Sequence, residues 1–285
     1  MMKKLLMCMG FYFLLGIPYK VVSADQVSPV VYKKQVEAYI DAIYKQIDFT
    51  HCTRLSFDVF SKAYTGYLNL RNDNKLNADK EIISICDFNL PSSANRLWVI
   101  DLVSCKVMYN TYVAHGQGSG EDFAENFSNT ENSHQSSLGF YVTGDTYNGD
   151  HGVSLRLNGL DLGFNDAALE RGIVMHGADY VCSKYISENQ RLGRSWGCPA
   201  INNDLKKPII DAIEGGTCLF IYRDDNKYIK SAYWVNKKID HIPGNGIYAS
   251  FVLPVQKTKA KKIVYEYVHN NTIDSIITAP VSSSK

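Results

Sequence analysis

The chain has 285 residues, 45% of them hydrophobic and 12% aromatic, with 30 Lys and Arg set against 29 Asp and Glu. A charge so nearly balanced excludes the basic field that a nucleic-acid-binding protein carries. The length suits one sizeable domain with short appendages.

The N-terminus reads as a targeting segment. Lys3 and Lys4 precede the apolar run Leu5 to Ile17, and Val22-Ser23-Ala24 puts small residues where a signal peptidase needs them. The expectation is a secretory signal peptide over 1–24, cleaved after Ala24. As a permanent anchor the run is too short to span a hydrocarbon core comfortably. Cys8 lies inside the run rather than behind a small-residue lipobox. No later stretch is long and apolar enough to span a bilayer, so the mature chain is expected to be exported, either periplasmic or secreted.

Residues 25–79 are expected to be helical. Val36, Tyr39, Ile40, Ile43, Tyr44 and Ile47 recur at the spacing of one helix face, and Leu55, Val59, Phe60, Ala63, Tyr67 and Leu68 do so again, with Ser56 available as a cap. From about Lys80 the pattern turns to strands. Glu81 to Phe88, Arg96 to Leu102 and Lys106 to Ala114 are short β-branched or aromatic runs broken by turns, and the last two are close enough to form a hairpin. Further strands are expected over Ser137 to Thr143, His151 to Leu157, Gly172 to His176, Thr217 to Tyr222 and Ser231 to Val235. One helix interrupts them: Asn203 is expected to cap it, Leu205, Ile209, Ile210 and Ile213 face inward, and Gly215-Gly216 ends it. Pro208 is placed in its first turn, where proline is tolerated. The architecture expected is mainly β with peripheral helices (α+β), over 80–240. A C-terminal extension, 241–285, carries the strand-like Ile263 to Val268. Its basic run from Lys257 to Lys262 reads as a solvated face.

Export changes the meaning of cysteine. The mature chain keeps Cys52, Cys86, Cys105, Cys182, Cys198 and Cys218, an even number in an oxidising compartment, which suits three disulfides. Cys86 and Cys105 flank the expected hairpin strands and could pair. Cys182 is expected to be buried, free, or bonded to another cysteine such as Cys218. The alternative is that one thiol is kept for chemistry.

Cys198 has the surroundings for that alternative. A cysteine transfers acyl groups only as a thiolate, so it needs a base or a positive field. His176 lies 22 positions upstream, at the exit of the strand-like run Ile173-Val174-Met175. Gly197 removes any side chain just before the thiol, which lets a substrate approach and leaves N–H groups to face an oxyanion. Pro199 stiffens the turn behind, and Arg194 could grip a substrate carboxylate.

The stretch resembles the catalytic signature of the murein L,D-transpeptidases of bacterial cell walls, a histidine-glycine pair followed at some distance by Ser-x-Gly-Cys. It is most similar to the branch whose signature reads Gly-Arg-Ser-x-Gly-Cys-Pro-Ala. The resemblance extends over about Ile82 to Tyr222. It takes in Val113-Ala114-His115-Gly116, Phe127-Ser128-Asn129, Ser136-Ser137-Leu138-Gly139-Phe140, His151-Gly152, Leu155-Arg156-Leu157 and Val174-Met175-His176-Gly177. It implies an L,D-transpeptidase-like β-sandwich or barrel catalytic domain. It implies Cys198 as nucleophile, His176 as general base, and the Gly197 and Cys198 backbones as oxyanion donors. Arg194, Ser195, Trp196, Gly177 and His115 are placed around the substrate. The implied partners are peptidoglycan stem peptides, with no metal or organic cofactor. Many relatives have histidine at the position of Trp196 and a polar residue at that of Ala200. The closest chemical alternative is an L,D-carboxypeptidase, with water as acceptor. Another class is a silent wall-binding module that keeps the fold alone.

Other readings are weaker. His115 opens the glycine-rich His115-Gly116-Gln117-Gly118-Ser119-Gly120, but no Lys-Ser/Thr follows to make a phosphate loop. It is either a wall of the cleft or a structural histidine. His51, His134, His241 and His269 are too scattered for a metal site, and neither His-Glu-x-x-His nor paired Cys-x-x-Cys occurs. Ser195 reads as support for the thiol rather than as a nucleophile.

Overall fold

The computed structural model describes residues 29–150, 152–240, 242, 262–269 and 272–280. The leader expected at 1–24, His151, His241 and the basic stretch 257–261 lie outside the described residues.

Two helices come first, α1 (Pro29–Gln46) and α2 (Phe57–Asn72). Ser56 caps α2, its side chain accepting the Val59 N–H, as its sequence position suggests. The apolar stripes Tyr39, Ile40, Ile43 and Val59, Phe60, Ala63, Tyr67, Leu68 are buried in the same core as the sheet. Each such side chain contributes roughly 1.5–3 kcal/mol through burial. Gly66 sets the closeness of the contact. A Cβ placed on it would lie 2.0 Å from Cζ of the Phe140 ring, so α2 rests on the sheet with backbone against aromatic face.

The strands are β1 (Ile82–Asp87), β2 (Leu97–Asp101), β3 (Lys106–Thr111), β4 (Gly139–Gly149), β5 (Gly152–Gly159), β6 (Val174–Ala178), β7 (Ala200–Asn202) and β8 (Cys218–Tyr222). They form one sheet in the order β3-β2-β1-β8-β4-β5-β6-β7. The β1–β8 and β6–β7 pairs are parallel and the rest antiparallel. Every residue of β8, in the middle, is buried, which explains its continuous apolar run. Past the end of β3 the chain reaches the far edge of the sheet: Ala114 bridges Ala200, and Gly116 bridges Ser195. The sheet thereby curls into a nearly closed barrel. A second, smaller core of Ala114, Ala178, Val181, Leu192 and Ala200 lies at this seam.

Short helices fill the connections: α3 (Ser183–Asn189), α4 (Asn203–Ile213), α5 (Asn226–Ser231) and α6 (Tyr233–Asn236). β9 (Lys262–His269) and β10 (Thr272–Pro280) pair as a separate antiparallel hairpin, and β9 covers the expected strand at Ile263 to Val268.

Three local expectations are corrected. The cap of α4 is Asn202, whose side chain accepts the Asp204 N–H at 2.7 Å; β7 runs directly into the helix, so the turn falls one residue early. Pro208 sits in the second turn rather than the first, on an exposed side where solvent can satisfy the carbonyl that loses its donor. The stretch from Ser231 to Val235 is not a strand: it holds the end of α5, an extended Ala232 and most of α6. Asp225 starts α5 by accepting the Tyr228 N–H at 2.7 Å. Trp234 turns inward and donates its indole N–H to Leu160 O at 3.0 Å. Asn69 of α2 donates to the carbonyls of Trp234 and Lys237, so tertiary partners override the strand preference of Tyr-Trp-Val.

The disulfide expectation is corrected as well. All six described cysteines carry thiols. Cys86 and Cys105 are both buried and not bonded to each other. Cys182 is half-buried and caps α3, its sulfur accepting the Tyr185 N–H at 3.4 Å.

Candidate active site

The parallel pairing of β6 with β7 sets His176 opposite Ala200. Two residues earlier on each segment, Cys198 falls alongside Val174, whose N–H lies 3.5 Å from the Cys198 Sγ. The register thus brings the segment of Cys198 alongside the strand that carries His176. The His176 ring is buried, with Nδ1 2.9 Å from Gly177 O. A carbonyl only accepts, so Nδ1 holds the proton and Nε2 is the basic nitrogen.

Burial pushes the Cys198 thiol above its ordinary range, while the Val174 N–H and the Arg171 guanidinium push it back. The resting group is therefore the thiol, and any chemistry through the thiolate needs a base to take that proton first. Arg171 is fixed by donating to Ser128 O and Gln135 O, both at 2.8 Å, to Ser133 Oγ at 3.3 Å and to Ser137 Oγ. It ties down the 128–137 loop and brings a positive charge to the sulfur.

The turn before the thiol is tied by Ser195. Its Oγ donates to Cys198 O at 2.7 Å and accepts the Gly197 N–H at 3.0 Å. The expected Gly197 donor to an oxyanion is thereby consumed inside the turn, which corrects that assignment. The Cys198 N–H has no protein acceptor among the described residues. Gly197 has φ +125°, and a Cβ there would lie 2.8 Å from Gln135 O; glycine is required by both conformation and space. Gly193-Arg194-Ser195-Trp196-Gly197 spells Gly-x-Ser-x-Gly, but both bonds of the Ser195 hydroxyl are spent within the turn and it is no nucleophile.

Four other expected site residues have different work. Arg194 pairs with Glu121 at 2.6 Å and donates to Gly120 O at 2.9 Å. The carboxylate expected from a substrate is supplied by the protein, and Arg191 bonds the same Glu121 at 3.0 Å. Ser195 is buried and shapes the turn rather than the pocket wall. Gly177 is buried under α4, where a Cβ would lie 2.2 Å from Asn203 Oδ1, so it is a packing position.

His115 is 0% exposed and is structural, not a cleft wall. Its Nδ1 accepts from Arg96 Nη2 at 2.7 Å, and its Nε2 faces Gly120 O at 3.3 Å. Burial, aided by the Arg96 charge, pulls its pKa down to about 3, so the neutral ring is the form present. Arg96 itself is fully buried, donating to Val113 O and Leu90 O and stacking on Phe88. Only Trp196 stays exposed.

The structure adds residues that the sequence left unassigned. Ser136 Oγ accepts the Gly116 N–H at 3.0 Å and donates to Gly197 O at 3.1 Å. The Ser136 N–H in turn reaches Ser119 Oγ at 2.9 Å. The Tyr180 phenol is pushed up to about 12 by burial and then by proximity to Cys198. Ser136 stands in a quoted motif, which was the available signal for it; Arg171 and Tyr180 had none beyond adjacency to the strand that carries His176. Among the described residues no group of three His, Cys, Asp or Glu side chains could hold a metal ion. No described helix is long and apolar enough to cross a membrane.

Residues 51–222 match the family of L,D-transpeptidase catalytic domains, and the chain belongs to that family. Similar solved structures include an L,D-transpeptidase from Mycobacterium smegmatis, 11% identical over 50% of this chain and 59% of that one, with a TM-score of 0.32. An L,D-transpeptidase from Mycobacterium tuberculosis H37Rv is 12% identical over 50% and 58%, with a TM-score of 0.29. One from Stackebrandtia nassauensis is 13% identical over 68% and 92%, with a TM-score of 0.31. The chain thus spans somewhat under three fifths of the length of the mycobacterial proteins. No curated protein matches it.

Proposed function

We propose that the protein is an exported peptidoglycan L,D-transpeptidase, periplasmic or secreted, acting on stem peptides with Cys198 as nucleophile and His176 as base. The observation that carries the reading is the strand register. It pairs His176 with Ala200 and brings the Cys198 Sγ to 3.5 Å from the Val174 nitrogen, and the Cys198 N–H has no protein acceptor among the described residues.

The chemistry follows from these atoms. His176 Nε2 takes the thiol proton, and Sγ bonds to the carbonyl carbon of the third stem residue. The oxyanion forms against the Cys198 N–H. Collapse breaks the bond to the terminal D-amino acid, whose departing amine takes the proton from His176. An amine of a second stem then attacks the thioester, gives a proton to His176, and releases the thiolate, which is reprotonated. The family resemblance implies no metal or organic cofactor.

Incubating the protein with a disaccharide tetrapeptide and resolving products by mass tests this. A cross-linked dimer supports transfer. Loss of the terminal residue alone assigns water as the acceptor and makes the protein an L,D-carboxypeptidase. No product from wild type removes the proposal in favour of a wall-binding module, and unchanged turnover in Cys198→Ala overturns Cys198 as the nucleophile.

A further inference from the structure

Trp196 stands two residues before Cys198 and is 71% exposed, although burying an indole releases more apolar area than almost any other side chain. One face of the ring lies on the His134 imidazole, with centres 4.9 Å apart and planes 10° apart. His134 is itself held, because the Gln117 side-chain nitrogen donates to its Nδ1 at 2.9 Å. An amide nitrogen only donates, so Nδ1 accepts and the proton of the neutral ring sits on Nε2. Among the described residues, Trp196 Nε1, His134 Nε2 and Gln117 Oε1 make no further bond to protein. The stack is a fixed flat surface, open on its outer side and edged by two N–H donors and one carbonyl acceptor.

On the transpeptidase reading of Cys198, we propose that the outer face of Trp196 is a saccharide subsite. It takes the apolar face of the N-acetylated hexose from which the attacked stem peptide hangs. A pyranose turns C–H groups toward an aromatic plane and carries hydroxyl and amide groups around its rim, where the donors and the acceptor can pair with them. An ammonium is the other group that favours an indole face, but two N–H donors at this rim oppose it. Reach agrees with the assignment. Three extended stem residues span about 10 Å, and Trp196 lies within about 8 Å of Cys198 along the backbone.

The test compares kcat/KM on a disaccharide tetrapeptide and on the free tetrapeptide. Trp196→Ala is expected to lose about tenfold on the disaccharide substrate and to stay within about twofold on the free peptide. Trp196→Phe should restore most of the loss. Equal losses on both substrates, or no loss on either, overturn the subsite. A loss seen only in the dependence on acceptor amine gives the face to an ammonium and overturns it too. If wild type turns over neither substrate, the reading of Cys198 fails separately. Calorimetric binding of the disaccharide tetrapeptide then decides the subsite: weaker binding to Trp196→Ala supports it, and equal binding overturns it.

Discussion

The Ser195 hydroxyl donates to the carbonyl of Cys198 at 2.7 Å while accepting the N–H of Gly197, so one side chain closes the turn that presents the thiol. A net hydrogen bond of this kind contributes about 1 kcal/mol to stability, but misplacing a nucleophile by an ångström costs on the order of 100-fold in rate. Ser195→Ala should therefore lose roughly 10- to 100-fold in kcat with a small drop in thermal midpoint. Steady-state kinetics beside calorimetry checks this. A variant as active as wild type would show that the turn holds without the hydroxyl.

Arg171 supplies the positive charge that opposes burial at the thiol. Removing it in Arg171→Met should raise the thiol pKa further and slow alkylation at neutral pH. Arg171→Lys should fall between the two. The pH dependence of iodoacetamide labelling at Cys198, followed by mass, reads the shift. Superimposable profiles would remove Arg171 from the account.

His115 and Asp161 tilt the stability curve in opposite directions. His115 has its pKa pulled from 6.5 down to about 3, so the unfolded chain takes up this proton first. Its contribution is complete above pH 6.5 and is lost as pH falls toward 3, about 5 kcal/mol in all. Asp161 is raised from 3.8 to about 6 by burial, and its Oδ1 is buried without a partner. The native state holds that proton more tightly, so its contribution is complete below pH 3.8 and is lost as pH rises through 6, about 3 kcal/mol. Between pH 4 and 6 the two slopes oppose each other. Urea unfolding across this window should show stability rising with pH more steeply in Asp161→Asn than in wild type. Parallel curves would contradict the assignment.

Gly66→Ala tests how the helices are seated. An alanine normally gains up to about 1 kcal/mol over glycine inside a helix. Here its methyl would drive into the Phe140 ring, an overpacking cost of about 1–3 kcal/mol or more. The net effect should be destabilising, measured by chemical denaturation. A stabilised variant would mean that α2 can lift off the sheet at little cost.

What the sequence disclosed follows the range of the forces involved. Ser56, the stripe from Val59 to Leu68 and the runs of β1 and β2 act locally, and their patterns are readable one residue at a time. Cys198 and His176 stood out in the sequence because a thiol and an imidazole in that motif have few other uses, while the pairing that brings their segments together needed the fold. The conformation of Ser231 to Val235 was not legible, because it depends on Asn69 and Leu160, far away in the chain. Arg194 looked poised for a substrate carboxylate because Glu121 gives no sign at a distance of 73 positions that it will arrive first. Burial hid the role of His115, whose partner Arg96 is equally invisible in the pattern. A glycine with an N–H reads as an oxyanion donor until the neighbouring serine is seen to have claimed it.

The seam where Ala114 meets Ala200 and Gly116 meets Ser195 joins the two ends of the sheet beside the turn that carries Cys198. Opening it would disperse that turn and expose two unpaired strand margins in one event, and such margins recruit other chains. Loss of titratable thiol activity and the first appearance of soluble aggregates should then share a single rate during storage or mild heating. Such a protein would age from the Cys198 side of its barrel, with most of its secondary structure still intact.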